Sequence, residues 1–285
     1  MNPAPLASPT PEHPLVFPCE GERLLGLLTQ PERPADVGVV IVVGGPQYRA
    51  GSHRQFTLLA RALARRGFPS LRFDYRGLGD SEGAMRDFEA IADDLRAAVD
   101  ALLAHTPGLK SVVLWGLCDA ASAALMYAPT DARVSGLILL NPWVHTERAA
   151  AQAQVRHYYL ARLSSPEFWR KLVSGRLNPV RVLGDLGRTV RLILGRKPAT
   201  AADTRHFIER MKSGLAAWRG RTLCVLSGND LTAQEFDALT QSDWRGLCAR
   251  PGYSTHRIAS ANHTFSTRAW RDEVTEETAR WLRPM

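Results

Sequence analysis

Hydrophobic residues recur with two different periods along this chain. Short continuous runs at 37–43 (VGVVIVV), 69–75, 111–115 and 135–140 alternate with stretches in which apolar residues return every three or four positions. Phe56, Leu59, Ala60 and Leu63 form such a stripe within 53–66, and Phe88, Ile91, Leu95, Val99 and Leu102 form another within 87–104. Continuous β-branched runs mark strands buried on both faces, whereas the wider spacing marks helices with one buried side. Gly67 supplies a stop for the first helix. With a small-residue helix at 120–128, the alternation predicts a mostly parallel, doubly wound α/β sheet covered by helices on both faces. Ahead of it, two apolar runs flank Cys19-Glu20-Gly21-Glu22 within 15–29 and predict an antiparallel hairpin turning near Gly21.

Beyond Trp143 no strand pattern appears until 221–227, so residues 144–219 are expected to form a helical cap insertion. The core then comprises 15–143 and 220–285. Its second part holds the strand 221–227, a helix at 232–240, a strand at 254–259 and a terminal helix at 267–283. Residues 1–14 are rich in proline and lack a basic or apolar region, which predicts a flexible tail rather than a secretion signal. No apolar run reaches the roughly 18–20 residues needed to span a bilayer.

The chemistry concentrates where the strand SVVLW enters Gly116-Leu117-Cys118-Asp119-Ala120 and then a helix. A nucleophile elbow has this form: a strained strand-to-helix turn that tolerates only small residues two positions either side of the nucleophile. Gly116 and Ala120 meet that demand, which predicts an α/β-hydrolase fold with Cys118 in place of the usual serine. The start of the helix at Asp119 favours a thiolate. Gly79-Asp80-Ser81-Glu82-Gly83 is a literal G-x-S-x-G match, but no helix starts directly after Ser81, and it reads as a loop. The acid and the histidine follow the nucleophile in this fold, each beyond a late strand. Asp230 after 221–227 and His263 before the terminal helix fit as orienting acid and base, with His256, inside a strand, as the competitor. The backbone N–H of Asp119 and that of Gly45 or Gln47 are the expected oxyanion donors, because Pro46 between the latter two has none.

These residues resemble a known family of α/β-hydrolases, the exosortase A system-associated hydrolase 1 proteins. VVGGPQYRAGSHRQF, LRFDYRGLGDSEG, WGLCDAASAAL, LSGNDLTAQEF and NHTFSTRAWRDEV carry the resemblance over nearly the whole chain after the tail. It implies a hydrolase-like protein linked to bacterial exosortase and exopolysaccharide systems, with Cys118, Asp230 and His263 in triad positions, and it supplies no substrate.

Charge and cysteine usage narrow the partners. Residues 145–219 carry 15 Lys/Arg against 5 Asp/Glu, a net +10 in a chain whose total is +8, so the insertion holds the whole excess. This predicts an anionic or carrier-bound acyl substrate. Basic helices are also compatible with a peripheral membrane contact, and no nucleic-acid module is recognisable. Cys19, Cys118, Cys224 and Cys248 form no CxxC or Cys/His cluster, which argues for a reducing, cytoplasmic setting and for neither metal nor disulfides. Transfer or hydrolysis of an ester or thioester through a Cys118 acyl-enzyme requires no cofactor. The alternative is a non-catalytic scaffold that binds an anionic partner through the basic insertion.

Overall fold

The computed structural model describes residues 11–45, 47–144 and 201–283. The chain divides into two units, Met1–Val144 with Arg210–Met285, and His145–Glu209. Residues 145–200 of the expected cap lie outside the described residues. The first unit resumes at Arg210, ahead of the expected 220. The reason is visible in the helix α4 (Ala201–Ala217): Met211 and Leu215 are buried, as is Trp218 just beyond it. A side chain at Gly214 would press within 2.5 Å of the Leu125 carbonyl, so its glycine permits a close backbone approach.

One sheet of eight strands organises this unit, in the order β1-β2-β4-β3-β5-β6-β7-β8. The hairpin β1 (Glu12–Cys19) and β2 (Glu22–Thr29) is antiparallel, and β2 pairs antiparallel with β4 (Ser70–Phe73). All remaining pairings are parallel, through β3 (Val37–Val42), β5 (Ser111–Leu117), β6 (Val134–Leu140), β7 (Arg221–Ser227) and β8 (Tyr253–Ile258). This is the α/β-hydrolase architecture. The hairpin begins earlier than expected, because residues 12–14 lie in β1 and not in a tail. Glu12 pairs with Thr29 across the hairpin, and its carboxylate takes ion pairs from Arg61 (2.6 Å) and Arg72 (2.7 Å), which fix the polar start of the strand.

Alternation along the strands divides the core into two layers. Val39, Ile41, Val113, Trp115 and Ile138 face one layer, where they pack with Phe56, Leu59 and Leu63 of α1 (Gln55–Ala64) and Val274 and Leu282 of the terminal helix α7 (Arg268–Leu282). The helices α2 (Ala92–Ala104) and α3 (Asp119–Tyr127) pack against β3, β5 and β6 and against each other. The central strands are buried along almost their whole length, as continuous apolar runs require. Sequence periodicity missed one short helix, α6 (Arg245–Cys248), whose four residues are too few to show a period. It follows α5 (Leu231–Gln241), where Trp244 packs edge-on against Phe236.

Candidate active site

Strand β5 ends at Leu117 and α3 begins at Asp119, so Cys118 alone makes the turn. Its backbone sits at φ 64°, ψ −127°, a region that non-glycine residues adopt at a cost of about 1–3 kcal/mol. Hydrogen bonds hold it there. Its N–H donates to the Leu140 carbonyl (2.9 Å), and its own carbonyl accepts from the N–H groups of Ala121 (3.0 Å) and Trp143 (3.2 Å). Gly116 permits the tight return of the chain, since a Cβ there would lie 2.7 Å from the backbone carbonyl of Ala120.

Asp230 follows β7 and forms the N-cap of α5, where its Oδ2 accepts from the Ala233 N–H (3.2 Å). The same oxygen lies 2.8 Å from Nδ1 of His263. The structure therefore brings together the acid and the histidine expected from sequence, on loops beyond β7 and β8. The imidazole is raised to about 10 by hydrogen bonds to Asp230 and then to Cys118, against the opposing effect of burial. His256, the competitor, lies in β8 and is turned to the terminal helix, with Nε2 2.8 Å from Glu273 Oε1 and Nδ1 3.5 Å from Glu277 Oε1. Ser81 is also accounted for: its hydroxyl donates to the Asp74 carbonyl (2.5 Å) and accepts from the Leu25 N–H (2.8 Å), tying its loop to β2.

Two features of the site lay beyond sequence reasoning. The first is Asn141, fully buried after β6 at φ 43°. Its side-chain amide donates to Ser227 Oγ (2.9 Å) and to the His263 carbonyl (3.0 Å), while its oxygen accepts from the Ser227 N–H (2.8 Å). Ser227 Oγ donates in turn to the Asn262 carbonyl (2.9 Å). The ends of β6 and β7 thus hold the histidine loop from beneath. An asparagine directly after an apolar strand, LILLN, was the available signal.

The second feature concerns the expected oxyanion donors. Gly45 does not present a free N–H: it donates to both carboxylate oxygens of Asp119, at 2.8 and 3.0 Å. Gln47 uses its side-chain oxygen to accept from the Ser52 N–H (3.0 Å), which fixes the loop after β3. Burial is the main cause that raises the Asp119 carboxyl above the ordinary carboxylate range, and the amides of Gly45 and Ala120 oppose it. Among the described residues no group of three or more His, Cys, Asp or Glu side chains is arranged to hold a metal ion. No described helix is long and apolar enough to cross a membrane.

Comparison with known proteins agrees with this architecture. The chain is similar across 96% of its length to the Pyrococcus furiosus esterase Pf2001, at 15% identity and a TM-score of 0.65 over 92% of that chain. It is similar to an alpha-beta serine hydrolase homologue from Coxiella burnetii at 16% identity and a TM-score of 0.61, covering 95% of this chain and 97% of the other. Est1E from Butyrivibrio proteoclasticus, solved with ferulic acid, gives 15% identity and a TM-score of 0.60, covering 94% and 99%. At these identities the likeness is one of fold. No protein of curated function matches the sequence. The family described as Serine aminopeptidase, S33 (Hydrolase_4), matches residues 35–232, which include Cys118 and Asp230. The chain belongs to that family of hydrolases and is an α/β-hydrolase with a cysteine at the elbow position.

Proposed function

We propose that this hydrolase cleaves or transfers an acyl group from an ester or thioester through a Cys118 acyl-enzyme, with His263 and Asp230 completing a triad. One observation carries the reading: His263 Nδ1 lies 2.8 Å from Asp230 Oδ2, and hydrogen bonds to Asp230 and to Cys118 favour the protonated ring. An imidazolium at neutral pH is the partner that a thiolate needs. In the imidazolium–thiolate form of the pair the sulfur attacks the acyl carbonyl directly. His263 gives its Nε2 proton to the departing alkoxide or thiolate of the substrate, and the neutral ring next takes a proton from water as that water attacks the thioester. Collapse expels the Cys118 thiolate and restores the imidazolium pair. An amine or alcohol in place of water turns the same cycle into acyl transfer.

The solved esterases that share the fold support an ester as the substrate bond. For the acyl donor itself, the basic character of 145–219 supports an anionic or carrier-bound molecule, such as an acyl phosphopantetheine or a lipid-linked phosphate. The resemblance to exosortase-associated hydrolases supports a link to bacterial exosortase and exopolysaccharide systems. Four unpaired thiols suit a reducing, cytoplasmic compartment.

The test is the pH dependence of iodoacetamide alkylation at each cysteine, followed by mass spectrometry, in the wild type and in His263→Ala. Burial pushes Cys19 to about 11 and Cys224 to about 12, and also raises Cys248, so these three provide slow internal references. Cys118 is expected to react first at neutral pH and to lose that advantage without His263. Acyl thioesters and p-nitrophenyl esters should then turn over in the wild type and not in Cys118→Ala. A Cys118 that reacts no faster than Cys248 overturns the triad and leaves the non-catalytic scaffold.

A further inference from the structure

The loop after β3 and the first turn of α3 meet at a carboxylate. Asp119 follows the elbow cysteine, and its two oxygens take the Gly45 N–H at 2.8 and 3.0 Å, while Oδ1 also accepts from the Ala120 N–H at 2.8 Å. The space it occupies is provided by Gly44. A Cβ at that glycine would stand 2.3 Å from Asp119 Oδ1 and 2.4 Å from the Leu117 carbonyl. Asp87 and Tyr75 are its ionisable neighbours by electrostatic influence, and neither supplies a positive charge. Among the described residues the carboxylate is held by backbone amides, in a space that Gly44 leaves open.

Attack of a thiolate on a carbonyl forms a C–S bond and moves the π electrons onto oxygen. That oxygen needs N–H donors, and in this fold they come from the residue after the nucleophile and from the loop after the first parallel strand. Here Gly45, one of the two amides expected as the second donor, is already bonded to an anion, and a carboxylate next to a developing oxyanion opposes the step that the site must accelerate. We propose that the Asp119 side chain is a resident occupant of the oxyanion hole and a specificity-determining residue. It restrains acylation of Cys118 until a substrate carrying an ammonium or N–H donor beside the scissile carbonyl draws the carboxylate away from Gly45. The proposal rests on the assignment of Cys118 as nucleophile. Burial raises the proton affinity of this acid, and protonation would lift the restraint, since a neutralised Asp119 no longer repels the oxyanion.

Two reactions of the same sulfur separate this proposal from the assignment beneath it. Alkylation by iodoacetamide forms no oxyanion, whereas acylation by p-nitrophenyl acetate does, with departure of p-nitrophenolate. Asp119→Ala is expected to raise the ratio of acylation to alkylation at Cys118 by about tenfold or more, a fraction of the 10²–10³ that one oxyanion donor contributes. Asp119→Asn, which keeps the shape and removes the charge, should raise it by less. The wild type should favour p-nitrophenyl glycinate over the acetate more strongly than Asp119→Ala does. A purely structural Asp119, which caps α3 and ties down the Gly45 loop, predicts a ratio that is unchanged or lower in both variants, and that result overturns the proposal. If wild-type Cys118 shows no preferential alkylation, the nucleophile assignment fails in that arm alone and takes the proposal with it.

Discussion

Asp230 Oδ2 serves two donors at once, His263 Nδ1 at 2.8 Å and the Ala233 N–H at 3.2 Å, so one carboxylate oxygen both orients the imidazole and starts α5. Removing its charge without its shape isolates the first role, because asparagine is as good an N-cap as aspartate.

Asp230→Asn should therefore change stability in a pH-dependent way. The folded ring of His263 binds its proton more tightly than the unfolded ring, whose ordinary value is about 6.5. Its contribution is then complete below about pH 6.5 and is lost as pH rises through about 10. Thermal unfolding at pH 6 and at pH 10 checks this: the melting-temperature gap between wild type and variant should shrink at the higher pH. A gap that widens contradicts it.

Asn141→Ala strips the support from the histidine loop. The buried Ser227 N–H loses its acceptor, at a cost of about 1–3 kcal/mol, and the partly buried His263 carbonyl loses its donor. Urea unfolding should show the lower midpoint. A lower kcat for a p-nitrophenyl ester with a nearly constant KM would mark the displaced imidazole.

Gly116→Ala places a methyl group 2.7 Å from the Ala120 backbone, which no side-chain rotation relieves. Overpacking of this kind costs about 1–3 kcal/mol. The expected readouts are a lower melting temperature and slower Cys118 alkylation, as the elbow relaxes away from its φ of 64°.

Ser81→Ala should leave alkylation of Cys118 as it is in the wild type. The hydroxyl joins the Asp74 carbonyl to the Leu25 N–H, and its loss should cost only about 1 kcal/mol of stability, read as a small shift in the urea midpoint. A serine-directed phosphonate that labels the wild type at Ser81 would contradict this account.

What could be read from the sequence follows from physical range. VGVVIVV announces a strand buried on both faces because its apolar residues are consecutive, and Val37–Val42 is that strand. Cys118 stood out because a strained turn restricts its neighbours at fixed offsets, and Asp230 and His263 because loops beyond parallel strands converge at one edge of the sheet. Non-local side-chain partners leave no such mark. Nothing in GLCDAAS indicates that the Asp119 carboxylate turns back to Gly45, 74 residues earlier, and nothing in LILLN names Ser227 as the partner of Asn141, 86 residues later. The start of β1 was missed for a related reason: Glu12 is held by Arg61 and Arg72, contacts that sequence periodicity does not record.

The cleft at Gly44 ties position 44 to the elbow backbone as well as to Asp119. Under selection for faster acyl transfer, loss of the acid at 119 is the single-substitution route, because a methyl group at 44 would meet not only the acid but also the Leu117 carbonyl at 2.4 Å, in the backbone that leads into the elbow. Gly44 is therefore expected to stay glycine even in a chain that has lost Asp119, since the Leu117 carbonyl still fills the space.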